Sequence, residues 1–248
     1  MIIDTHCHLF SEDYDDLDKL IKEMKENNIY AVVNGFDLKS NKEAILMKNK
    51  YNNIYAAIGF HPSEVDKIDI DYIEYLKENY KYSVAIGEIG LDYHYTKENK
   101  ENQIKLLKSQ LSFATKYNLP VIIHARECIN DIYNILKEYN LKGVIHAYSG
   151  SYEMAREFIK LGYKIGIGGV ITFKNSNLKE VVRRIDIKDI VLETDSPYLT
   201  PEPNRGKKNN PLYLKYIIDT IANVKNMTYE SVVNITTQTA ISLFDLNS

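Results

Sequence analysis

Val121-Ile122-Ile123-His124-Ala125-Arg126, then Ile129 to Tyr139, then Gly143-Val144-Ile145-His146 decide the fold. The first and last stretches are short β-branched runs that read as buried strands. The stretch between them spaces apolar residues three and four apart, the period of an amphipathic helix. Strand, helix and strand in this order form a βαβ unit, whose two strands lie parallel.

The same alternation fills the chain. Further short apolar runs lie at Ile2 to His8, Tyr30 to Asn34, Ile54 to Gly59, Val84 to Glu88, Lys164 to Gly168 and Ile190 to Asp195, which brings the expected strands to eight. Leu17 to Asn27 and Gln103 to Tyr117 read as helices, and Pro211 to Phe244 reads as two more. No Gly-x-Gly-x-x-Gly turn opens the first helix, so the expectation is an α/β chain folded as a (β/α)8 TIM barrel rather than a doubly wound sheet.

With 248 residues, 44% hydrophobic and 26% charged, and no Gly/Ser-rich or Pro-rich linker, residues 1–248 are expected to form one domain. The balance of 31 Lys+Arg against 34 Asp+Glu leaves a net charge of -3, too little positive field to gather nucleic acid from a distance. Any phosphate binding has to be local. Cys7 and Cys128 stand far apart, and the start Met-Ile-Ile-Asp has no basic or apolar leader, which points to a reducing, cytoplasmic setting. No apolar run approaches the roughly 20 residues of a membrane span, and a monomer is expected.

In such barrels chemistry sits at the carboxyl ends of strands. Asp4-Thr5-His6-Cys7-His8 ends the first, and alternation at period two puts His6 and His8 on one face, able to share a divalent ion. Taken alone, His-x-His reads more readily as a chance or structural pair than as a metal site. Glu88 follows an apolar run, where a buried carboxylate needs a partner, either a cation pair bridged by its two oxygens or an Arg or Lys. His124 and His146 end consecutive strands, and Asp195 follows the eighth, placed to ligate a cation and to take a proton from water. Together these residues make candidate ligands of His6, His8, Glu88, His124, His146 and Asp195, with Glu88 and Asp195 also catalytic. Four imidazoles with two carboxylates suit two divalent ions of the zinc, manganese, nickel or magnesium type, magnesium being the least natural.

His61, after Gly59-Phe60 and before Pro62, reads either as a substrate contact or as a hydrogen bond that fixes its turn. Arg126 and Arg205 are candidates for gripping an anion, because a guanidinium fork matches phosphate oxygens. Tyr93, Tyr95 and Tyr148 near the mouth read as base-stacking or as ordinary packing.

At this point the residues resemble the TatD family of metal-dependent deoxyribonucleases, among the amidohydrolase-like barrels. The resemblance rests on the opening Asp-Thr-His-Cys-His, Gly59-Phe60-His61-Pro62, Gly87-Glu88-Ile89-Gly90-Leu91-Asp92-Tyr93, Ile123-His124-Ala125-Arg126, His146-Ala147-Tyr148-Ser149-Gly150 and Glu193-Thr194-Asp195-Ser196-Pro197, all in order. It implies that His6, His8, Glu88 and Asp195 hold one metal and that Glu88, His124 and His146 hold the other. Glu88 then stands where many relatives in the wider superfamily use a carboxylated lysine. The chain departs from the family pattern at Asn210, where Glu is usual, and at Thr239, where Asn is usual.

The function expected on this basis is hydrolysis of phosphodiester bonds in single-stranded DNA from an end, as a 3′–5′ exonuclease, by a metal-activated water. RNA is a further possible substrate. A dinuclear ester or amide hydrolase such as a D-aminoacyl-tRNA deacylase stands as the alternative, and a non-catalytic metal-binding partner protein as the second.

Overall fold

A computed structural model describes residues 1–94, 96 and 98–246. Eight parallel strands lie in sequence order: β1 Ile2–Cys7, β2 Ile29–Asn34, β3 Ile54–Ile58, β4 Ala85–Asp92, β5 Val121–Arg126, β6 Gly143–Ile145, β7 Tyr163–Ile167 and β8 Ile190–Leu192. The helices α1 Leu17–Glu26, α2 Leu38–Lys50, α3 Tyr72–Asn79, α4 Lys100–Tyr117, α5 Ile129–Leu136, α6 Tyr152–Lys160 and α7 Leu178–Arg184 connect them, with α8 Leu214–Lys225 and α9 Tyr229–Phe244 after β8. This is the (β/α)8 barrel expected from the alternation. Thr5 Oγ1 donates to Leu192 O (3.0 Å), Asp195 N to His6 O (2.9 Å) and His8 N to Ser196 O (2.7 Å), joining the end of β1 to β8.

Two apolar layers result. Ile3, Val32, Ala57, Ala85, Ile122, Val144 and Val191 fill the barrel near its amino-terminal end, and Ala240, Leu243 and Phe244 of α9 close that floor. The larger layer lies between sheet and helices. Strict alternation would put Ile3 and Cys7 on one face. Instead Ile3 is in the inner layer and Cys7 in the outer one, because the β1 register shifts between Asp4 and Cys7. The β4 register likewise shifts between Ile86 and Ile89, which both pack outward although three residues apart. Irregularities of this kind re-aim side chains, and here they turn His6, His8 and Glu88 into the barrel.

The strand bounds differ from expectation most at β4, which runs on to Asp92 where the sequence suggested an end at Glu88. Gly90 permits this, since its φ of 156° and the 2.0 Å from a Cβ there to His124 O exclude a side chain. Conversely β6 and β8 end at Ile145 and Leu192, so His146 and Asp195 lie just past their strands. Asn210 accepts from Leu212 N (3.0 Å) and caps the turn into α8, while Thr239 Oγ1 donates within α9 to Ile235 O (3.0 Å). Both departures from the family pattern are therefore satisfied locally.

Candidate metal centre

Glu88 is the centre of the mouth, 4% exposed and ringed by imidazoles. Its Oε1 is 2.9 Å from both His124 Nδ1 and His146 Nε2. Its Oε2 is 3.4 Å from His6 Nε2 and 3.5 Å from His8 Nε2. Asp195 Oδ1 is 3.6 Å from each of the latter two nitrogens. The side chains thus divide into two groups that meet on one carboxylate. Asp195 owes its place to a left-handed backbone (φ 52°) and to Asp4, which accepts hydrogen bonds from Thr194 N (3.0 Å) and His6 N (3.2 Å) and so ties the two strand ends together.

His8 and His124 are hydrogen-bonded from behind. His8 Nδ1 donates to Asn34 O at 2.9 Å, which leaves a lone pair on the Nε2 that faces Glu88 and Asp195. His124 Nε2 meets Asp92 Oδ2 at 3.0 Å. His146 Nδ1 has Glu193 Oε1 3.7 Å away, and its ring stacks on His6 at 3.8 Å between centroids.

The pKa shifts follow from this packing. Burial and the neighbouring His146 push His6 well below the usual imidazole value. Burial would lower His146 too, but the Glu88 and Glu193 carboxylates outweigh it and hold it well above. His124 is likewise raised against its burial by hydrogen bonds to Asp92 and Glu88. Burial favours a protonated Glu88, yet the surrounding imidazoles hold it well below the carboxylate range. Burial pushes Asp195 up to about 6.

Lone pairs facing carboxylate oxygens across 3.4 to 3.6 Å repel unless a cation or a proton lies between them. The donor set of imidazole nitrogens and carboxylate oxygens fits divalent ions such as zinc, manganese or nickel, with hard magnesium a poorer match. Donor atoms of His6, His8 and Asp195 lie within 4.8 Å of one another, as do those of His6, Glu88 and His146.

A family model described as TatD related DNase matches residues 3–245. The chain belongs to the TatD family. A metal-dependent hydrolase of Bacillus subtilis (strain 168) is 43% identical over the whole of both chains. A human protein named as a deoxyribonuclease is 33% identical, covering 98% of this chain and 94% of its own. The crystal structure of a TatD homologue from Escherichia coli K12 superposes with a TM-score of 0.92 at 28% identity, over 99% of this chain and 98% of that one. This TatD-family chain is accordingly a metal-dependent hydrolase with a TIM barrel, and none of its described helices is long and apolar enough to cross a membrane.

All six candidate ligands of this TatD-family chain converge, and His61 joins them with Nε2 3.7 Å from Glu88 Oε1. Burial and the adjacent His124 push His61 down to about 3, so it is neutral. The turn-fixing reading of His61 is seen directly, as Nδ1 accepts from Ser63 N (3.1 Å), and Nε2 is turned toward Glu88. Arg126 is exposed at the end of β5, and Arg205 is exposed beyond β8 with its guanidinium 4.1 Å over the Phe173 ring. Arg205 thus packs on that ring rather than on the cluster.

Tyr93 and Tyr148 are not stacking platforms, being 6% and 2% exposed with hydroxyls bound to Asp131 and to Ser151 O. Tyr95 lies outside the described residues. Three residues escaped the sequence reading. Asp92 and Glu193 stand behind ligands rather than among them, although Glu193 lies two residues before Asp195. Tyr198, 61% exposed with its ring 6.2 Å from that of His8, is an exposed aromatic at the mouth, and its position three residues past Asp195 was the available signal.

Proposed function

We propose that this chain hydrolyses phosphodiester bonds of single-stranded DNA from the 3′ end, using two divalent cations shared by Glu88. The observation that carries the reading is the division of Glu88: Oε1 serves His124 and His146, and Oε2 serves His6 and His8. When bound, such a cation pair acidifies a water and polarises a phosphoryl oxygen.

The side chains supply the rest. Asp195 accepts the proton as the water oxygen attacks phosphorus. The bond from phosphorus to the 3′ oxygen breaks, and Asp195 returns that proton to the departing oxygen. His61 presents an N–H to a non-bridging oxygen, and Arg126 and Arg205 grip phosphates along the strand. Tyr198 stacks on the terminal base. A groove of about 750 Å³ beside the mouth carries Lys39, Lys42 and Lys67 against Asp37, Glu43, Glu64 and Asp69, so it offers no net positive path. The name of the human relative supports a DNA substrate.

The test is a substrate panel run with metal analysis on purified protein. Release of nucleotides from single-stranded DNA labelled away from its 3′ end, abolished by Glu88→Ala with loss of metal, is the expected result. Faster turnover of aminoacyl esters on tRNA would replace the nuclease reading with the deacylase one. Bound metal with no turnover on any substrate would leave a non-catalytic partner protein.

A further inference from the structure

His61, Asp92 and His124 form a third group of metal-ligating side chains, with donor atoms within 4.8 Å of one another. Their hydrogen bonds assign them another role. A neutral imidazole has one lone pair. Nδ1 of His61 is engaged by Ser63, with N at 3.1 Å and Oγ at 2.8 Å, which commits that side of the ring to its own turn. The lone pair of His124 is needed on Nδ1, which faces Glu88 Oε1 at 2.9 Å, so its Nε2 carries a proton toward Asp92 Oδ2 at 3.0 Å.

We infer that Asp92 is a positioning residue that holds His124 in the tautomer and orientation needed at Glu88 Oε1, and that helix α4 holds Asp92 in turn. The inference rests on the two-cation reading above. Asp92 is 7% exposed, and its second oxygen accepts from His94 N at 2.9 Å, so the carboxylate cannot swing away. Its peptide is clamped by the side chain of Gln103, 2% exposed, with Asp92 N donating to Oε1 and Nε2 donating to Asp92 O, each at 2.9 Å.

The clamp recurs two turns along α4. Gln110 takes Phe60 N at 2.8 Å and gives to Phe60 O at 2.9 Å, directly before His61. Residues seven apart share a helix face. One rigid helix therefore sets both neighbours of His124: Asp92 on Nε2, and the edge-on ring of His61 at 4.4 Å. Partners of this kind fix ring orientation and raise the basicity of the ligating nitrogen, and their loss costs about 10–100-fold in metal affinity.

The experiment is stepwise zinc titration of chelator-stripped protein against a competing indicator, with metal per chain counted after dialysis. Wild type is compared with Asp92→Ala, Asp92→Asn and Gln103→Leu. We expect two equivalents in wild type. In Asp92→Ala the second is weakened about 10–100-fold and the first unchanged. In Asp92→Asn, whose amide oxygen still accepts from Nε2–H, part of the loss is recovered, and Gln103→Leu falls between. Two equivalents bound by Asp92→Ala with wild-type affinity, or both weakened alike, overturn the inference while leaving the two-cation reading intact. A third wild-type equivalent lost in Asp92→Ala overturns it in favour of a third ion, and a single wild-type equivalent removes the reading beneath it. Zinc binding is read without substrate, so an inactive wild type counts against the nuclease reading alone.

Discussion

The Glu193 carboxylate lies wholly buried behind His146, its Oε1 3.7 Å from the imidazole Nδ1 and 2.5 Å from the peptide N–H of Ala147. A buried charge with one hydrogen bond is costly unless it meets an opposite charge. His146, held well above the usual imidazole value partly by Glu193, supplies it. Glu193→Gln is expected to lower metal affinity by about tenfold at the Glu88 Oε1 side, as loss of an outer carboxylate does elsewhere. Equilibrium dialysis checks this. Unchanged affinity would make Glu193 a purely structural anchor for Ala147.

Gly166 tests the same contact from the barrel wall. A Cβ there would lie 2.2 Å from Glu193 Oε2 and 3.1 Å from the His146 Cα. Because one obstacle is backbone, Gly166→Ala cannot be absorbed by a rotamer change and is expected to cost about 1–3 kcal/mol. Denaturant unfolding measures it, and a stability equal to wild type would show that the strand can shift. Metal affinity should fall with it.

Without metal, stability is expected to fall as pH rises above neutral and to hold nearly level on the mildly acid side. His124 and His146 are raised, so their contribution is complete below about pH 6.5 and is lost as pH rises through their folded values. His6 and His61 are lowered, the latter to about 3, so below about pH 6.5 the unfolded chain takes protons that the fold refuses. Asp195, raised to about 6, and Asp4, raised to about 8 by burial, offset that loss between the usual carboxylate value and their own, two groups against two. Thermal midpoints of chelator-treated protein across about pH 5 to 9 test the sign. A midpoint rising steadily to the alkaline end would contradict it, and added zinc should remove the alkaline decline.

The barrel and the six candidate ligands were legible because both depend on local order. Val121 to Arg126 and Gly143 to His146 show their strands in their β-branched runs, and strict alternation turns His124 and His146 inward with Ile122 and Val144. What was hidden depended on long-range geometry. Gly87 and Gly90 read as the end of a strand, and only the approach of β5 shows that β4 continues to Asp92. Gln103 and Gln110 look like ordinary polar positions of an amphipathic helix, because a buried amide that clamps a peptide has no sequence mark. Tyr93 and Tyr148 were ambiguous for a similar reason, since a tyrosine that packs and one that stacks differ only in what covers them.

Tyr198 offers the sharpest separation of substrate recognition from chemistry. It is exposed, its ring approaches His8 at 6.2 Å, and its backbone N–H is held by Asp195 O at 2.8 Å. A side chain so fixed at its base and open at its ring is suited to receive a nucleobase, and stacking of this kind is worth about 1–3 kcal/mol per base. Tyr198→Ala should therefore raise KM for single-stranded DNA by about 5- to 150-fold, the equivalent of that energy, with kcat changed far less. Tyr198→Phe keeps the ring and should stay near wild type. Metal content should be equal in all three proteins, because the hydroxyl and ring make no contact with Glu88 or its imidazoles closer than the edge of His8. A drop in kcat with KM unchanged would instead place Tyr198 at the reacting phosphate, and an unaffected KM and kcat would leave base recognition to another part of the mouth.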